Sequence, residues 1–118
     1  MRSYYIEDLY EADIEKIKKS LDAMELLGPI DGIYYLPLPD DLLQQEQKDH
    51  LNECGPYFMS LEILEGPSEL SECQLKLELL IRARKKIRCS CVTYATPEQT
   101  QHMIGYIDQF IDELEISI

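Results

Sequence analysis

The chain has 118 residues, of which 45 % are hydrophobic and 29 % charged, and its 23 acids against 11 bases give a net charge of −12. That length fits one domain over residues 1–118 and leaves no room for two, while the composition excludes a disordered or repeat-built chain. The charge argues against nucleic acid and anionic membrane as partners, both being polyanions, and no apolar run approaches the ~20 residues of a membrane helix.

The first eight residues turn acidic at once and show no apolar signal stretch. A cytoplasmic location is therefore expected, with Cys54, Cys73, Cys89 and Cys91 as reduced thiols. From there, Ile6, Leu9, Tyr10, Ile14, Ile17, Leu21 and Met24 recur at three- and four-residue intervals, which predicts an amphipathic helix that Gly28-Pro29 stops. A rival reading makes Ser3–Ile6 a strand and starts the helix near Tyr10 or Glu11. Gly32-Ile33-Tyr34-Tyr35-Leu36 reads as a short strand, ended by the missing donors of Pro37 and Pro39. Asp40 and Asp41 then cap a weaker helix running to about Glu53, and Gly55-Pro56 stops it.

The period next changes to two. Tyr57, Met59, Leu61 and Ile63 alternate with Phe58, Ser60, Glu62 and Leu64, and Gly66-Pro67-Ser68 breaks the run. Leu75 to Ala83 repeats the pattern. So does Ile87, Cys89, Cys91 and Thr93 against Arg88, Ser90, Val92 and Tyr94, giving three late strands. Thr96-Pro97-Glu98-Gln99 is a capping box with proline at the first helical position, and Met103, Ile104, Ile107, Ile111 and Leu114 form the stripe of a final helix. The expected class is α+β. Its antiparallel sheet has about four strands, including the late meander, and is packed by N- and C-terminal helices in the order α-β-α-β-β-β-α.

Few features point to chemistry. Neither histidine has a nucleophile at a recognised spacing, and no phosphate-binding loop, dinucleotide fingerprint or calcium loop is present. The chain reads as non-enzymatic, and no cofactor is indicated. Cys89 and Cys91 form the most suggestive pair, since residues i and i+2 of a strand share a face. Cys54 and His50, one helical turn apart, could complete a four-ligand metal site. Against this, no Cys-x2-4-Cys knuckle is present, and the strand reading turns Cys89 and Cys91 toward the core, where cysteine packs as a small hydrophobe.

The second feature is the acid-free run of Arg82, Arg84, Lys85, Lys86 and Arg88 in an otherwise acidic chain. The late strands also place Phe58, Leu80, Val92 and Tyr94 on faces expected to be polar. Together these residues mark a contact surface for an acidic protein partner or a homodimer. The leading expectation is thus a small binding or accessory protein acting through such contacts. The alternatives are a cysteine-linked metal or small-ligand binder and an enzyme without a recognisable motif.

Overall fold

A computed structural model describes residues 2–65 and 72–116 of the chain. The strands are β1 (Ser3–Leu9), β2 (Ile33–Pro37), β3 (Tyr57–Leu64), β4 (Cys73–Glu78), β5 (Leu80–Ala83) and β6 (Thr93–Tyr94). The helices are α1 (Glu11–Ala23), α2 (Gln45–Asp49), α3 (Leu51–Cys54) and α4 (Pro97–Glu113), with a 3-10 turn at Asp40–Leu42. The class is α+β with an antiparallel sheet, as expected. The details differ: the sheet has six strands, and the chain opens on a strand instead of a helix. The expected break at Gly66-Pro67-Ser68 lies outside the described residues.

The sheet runs β1-β4-β3-β5-β6, with β2 also paired to β3. β4 and β5 are two halves of one kinked strand. Leu77 faces Leu61 and Arg82 faces Phe58, so five steps along one strand match three along its neighbour. Two extra residues preserve the alternation, and Leu75, Leu77, Ile81 and Ala83 all stay in the core. The kink redirects the edge. β1 pairs with the first half and β6 with the second. The backbone of Leu79 between them bonds to Arg2 O and to the Ala95 N–H.

β1 corrects the helical reading of residues 6–10. Ile6 pairs with Leu75 and Leu9 with Cys73, so a bulge sets three residues against two. Asp8 takes the left-handed conformation there, with φ of 60°. The bulge brings Ile6 and Leu9 to one face at a spacing of three, which imitates a helical period. α1 begins at Glu11, after the Asp13 carboxylate accepts the Tyr10 N–H at 3.0 Å. It ends at Ala23, well before Gly28. Glu25, at φ 58°, takes the left-handed place past the helix end that the sequence had suggested for glycine. Gly28 instead lies against β2, where a Cβ would stand 3.0 Å from both Ile33 O and Tyr35 Cε1.

Both long helices cover the same sheet face. Ile14, Ile17 and Leu21 of α1 join Met103, Ile107, Phe110 and Ile111 of α4 over Ile6, Tyr34, Leu61, Leu75 and Leu77. Tyr34 Oη donates to Asp22 on α1 and Tyr4 Oη to Asp108 on α4, which fixes each helix to one side of the sheet. The opposite face is open and carries Tyr5, Ser60, Glu62, Lys76, Glu78 and Arg82, half-buried or exposed. No described helix is long and apolar enough to cross a membrane.

Candidate metal centre

The second helical region is broken at His50, one of the candidate metal ligands. α2 stops at Asp49 and α3 starts at Leu51, with His50 between them at φ −98°, ψ 6°. The His50 carbonyl accepts the Cys54 N–H at 2.8 Å, so the two side chains sit one turn apart on one side. The Gly55-Pro56 stop follows, as the sequence indicated.

The expected third late strand is where the structure departs most from the sequence reading. Only Thr93 and Tyr94 pair, and residues 84–92 form a loop. Ile87, assigned to the core face by alternation, is 86 % exposed. The Val92 N–H donates to Cys89 O at 3.0 Å, which closes a four-residue turn holding both Cys89 and Cys91. The two cysteines therefore sit on a turn and not on a strand, yet Cys91 is still buried in the core and Cys89 packs against it.

This turn meets α3. Cys89 Sγ lies 3.2 Å from His50 Nδ1, and Cys54 Sγ lies 4.0 Å from the same nitrogen. All four donor atoms of His50, Cys54, Cys89 and Cys91 fall within 4.8 Å of one another. Bond lengths of about 2.3 Å to sulfur and about 2.0–2.1 Å to nitrogen place the corners of a zinc tetrahedron about 3.5–3.8 Å apart. The donors bracket that range, from 3.2 Å up to 4.8 Å, so the widest separation must shorten by up to about 1 Å for all four to close on one ion. Three sulfurs and an imidazole suit zinc, and not calcium or magnesium, which take oxygen. Cys73, also buried, lies outside the cluster.

The thiols are unequal. The Cys91 backbone N–H bonds to Cys89, and this holds the Cys89 thiol down at about 6, helped by the neighbouring Cys91, Cys54 and His50 side chains. Cys54 is pushed up to about 11, first by burial and then by the adjacent Cys91 and Cys89. A charged metal ion reverses such a bias, because a coordinated thiol is deprotonated outright.

A polar scaffold holds the two halves together. The Lys85 N–H donates to Cys54 O at 2.8 Å and Lys85 Nζ to Asn52 O at 3.1 Å, tying the loop to α3. Gln47, 1 % exposed, donates from Nε2 to Cys91 O at 3.4 Å. Its Oε1 accepts from the Gln44 N–H and from Gln99 Nε2. Gln99 belongs in turn to the Thr96 capping box of α4, which forms as the sequence predicted. The sequence reading missed Gln47, and it read Gln99 only as a cap. Their signal was faint: a glutamine announces nothing until it is seen to be buried.

The other candidate residues are dispersed. Arg82 is held by Glu78 in a two-pronged ion pair at 2.7 and 3.3 Å. The Arg84 guanidinium lies 5.1 Å over the Tyr35 ring and 5.9 Å from that of Phe58, two rings stacked at 3.9 Å. Phe58 is thereby buried, Val92 packs against the core, and Leu80 is half-buried opposite Tyr94. Lys86 reaches Glu53 at 3.9 Å, and Arg88 is exposed. These residues do not form one continuous apolar patch. In comparisons with protein-family models, curated proteins and solved structures, the chain has no significant match.

Proposed function

We propose that the chain is a zinc-stapled binding domain in which His50, Cys54, Cys89 and Cys91 hold one structural ion. The observation that carries this reading is the convergence of four soft donors within 4.8 Å, from two segments more than thirty residues apart. Four protein ligands close the tetrahedron and leave no position for a water or substrate, which is the arrangement of structural rather than catalytic zinc. That agrees with a non-enzymatic role. The ion joins the short helices α2 and α3 to the loop 84–92, which has no regular structure of its own.

Protein prepared without chelator is expected to carry one zinc per chain by native mass spectrometry, and Cys89→Ser with Cys91→Ser to carry none. A wild-type chain with four freely titrating thiols and no uptake of zinc or cobalt would falsify the reading.

A second reading, self-association, is favoured by Ile87, which stands 86 % exposed on the loop with Lys86 and Arg88 beside it. Outside the run Arg82–Arg88 the chain keeps all 23 acids and 6 of its 11 bases, so a second copy offers complementary charge. In sedimentation experiments a weak dimer at low salt should dissociate when Ile87→Glu is combined with Arg88→Glu. A monomer at all concentrations and salts removes this reading.

A further inference from the structure

The most informative group outside the four ligands is the phenol of Tyr57, the first residue of β3. Its ring packs into the core and the residue is 2 % exposed, yet its hydroxyl has no hydrogen-bond partner among the described residues. An unpaired buried hydroxyl costs about 1–3 kcal/mol, so it calls for an explanation. The surroundings supply one. The side chains acting on this phenol are Cys91, then Cys54 and Cys89, with Cys91 the strongest. No group among the described residues completes a hydrogen bond to this hydroxyl, and a neutral thiol such as that of Cys91 is a weak acceptor.

Resting on the zinc reading above, we propose that Tyr57 is an outer-shell positioning residue that donates its hydroxyl hydrogen to the metal-bound Cys91 thiolate.

Charge and acceptor strength both favour this bond. Three thiolates and a neutral imidazole around a divalent ion leave one net negative charge beside a dry core. Thiolate sulfur in such a place needs donors. Cys89 already takes the Cys91 backbone N–H. Among the described residues Tyr57 is a buried donor left unpaired, and Cys91 is the side chain that acts on it most. Converting Cys91 from thiol to thiolate makes a strong acceptor out of a weak one, and the contraction of the ligands onto the ion can complete the bond. Tyr57 opens β3 opposite Ala83, one residue before the loop begins, so the bond also fastens the metal centre to the sheet. Outer-shell donors of this kind typically change metal affinity by about 10–100-fold.

The test uses the full chain loaded with cobalt(II) and, separately, with cadmium-113. Tyr57→Phe keeps the ring and removes only the hydroxyl. It is expected to retain one metal per chain, weaken zinc by at least about tenfold in chelator competition, and move the sulfur-to-cobalt charge-transfer band to lower energy. That band shift is a readout that a merely structural role would leave in place. In the wild type loaded with cadmium-113, the Tyr57 hydroxyl proton is expected to exchange slowly and to show scalar coupling to the metal through the sulfur. This second measurement needs no variant, so misfolding of Tyr57→Phe leaves the proposal testable. An unchanged affinity and band in Tyr57→Phe, or a cadmium-loaded wild type without that proton, overturns the assignment while the zinc site stands. A wild type that takes up no metal overturns the zinc reading and this assignment together.

Discussion

Gln47 and Gln99 are the buried polar side chains among the described residues, and they show how single positions support a site without supplying a donor atom to it. Gln47 bonds to the Gln44 backbone, Gln99 and the Cys91 carbonyl, so each of its polar atoms is used. Gln47→Leu keeps the volume but leaves the Gln44 N–H and the Cys91 carbonyl without this partner. We expect a loss of about 1–3 kcal/mol in urea unfolding with little change in slope. Zinc affinity should fall as well, because the Cys89–Val92 turn loses an anchor. Lost stability with unchanged affinity would make Gln47 a core residue and nothing more. The four candidate ligands were half legible in the sequence. His50 and Cys54 stand four apart on a predicted helix, and that spacing survives even though the helix breaks at His50. Cys89 and Cys91 were legible as a pair but misread in context. An i, i+2 spacing fits a strand face and the ends of a tight turn equally well, and the chain from 84 to 92 carries no glycine or proline to mark the turn.

Elements were readable where local chemistry and tertiary packing agree. α4 has its threonine cap, its proline and its stripe, and all three are used. β2, β3 and the β4–β5 strand follow the alternation of their residues. Misreadings fall where a bulge or kink changes the count. The bulge in β1 lends a helical spacing to a strand, and the left-handed Glu25 ends α1 where a glycine was expected. The loop 84–92 is a third case. Its fold depends on partners distant in sequence, above all Cys54, Asn52 and Gln47. An element held in this way should respond to metal removal before the rest of the domain does. The sheet and its two long helices bury a continuous core that these segments reach at Cys54 and Cys91, with Leu51, Cys89 and Val92 packed on it, while Ile87 stays exposed. Chelation is therefore expected to speed amide exchange in residues 84–92 and 45–54 while β3, β4 and α4 stay protected. A ligand present at about a thousand times its Kd adds about 4 kcal/mol. Stripping the metal should thus lower Tm by more than about 10 °C in a domain of this size. Uniform exchange with and without chelator would show that these segments need no ion.

Across the whole molecule, acidity and tyrosine usage combine into a pH dependence unrelated to the metal. The chain has eight tyrosines and no tryptophan. Two of them join helices to the sheet through carboxylates: Tyr4 to Asp108 at 2.7 Å and Tyr34 to Asp22 at 3.0 Å. Both phenols are pushed up to about 12, first by burial and then by the carboxylate that accepts the hydrogen bond, with Asp31 adding to the field at Tyr34. A tyrosine in the unfolded chain loses its proton near pH 10. The folded values lie above that, so these bonds contribute fully below about pH 10 and are lost as pH rises toward 12. Over that window the unfolded state gives up protons that the folded state keeps, and stability must fall. Lysines and the net charge of −12 add an alkaline slope of their own, so the informative quantity is the difference from a Tyr4→Phe, Tyr34→Phe double variant. At neutral pH the variant should be less stable by about 1–2 kcal/mol per lost bond to a charged acceptor. Between pH 10 and 12 that gap should close, because the wild type forfeits what the variant never had. Absorbance of tyrosinate should follow the same course, with these two phenols titrating only as the wild type unfolds. A gap that stays constant to pH 12 would mean that the two phenols ionise within the folded sheet, and that the helices are held to it by packing alone.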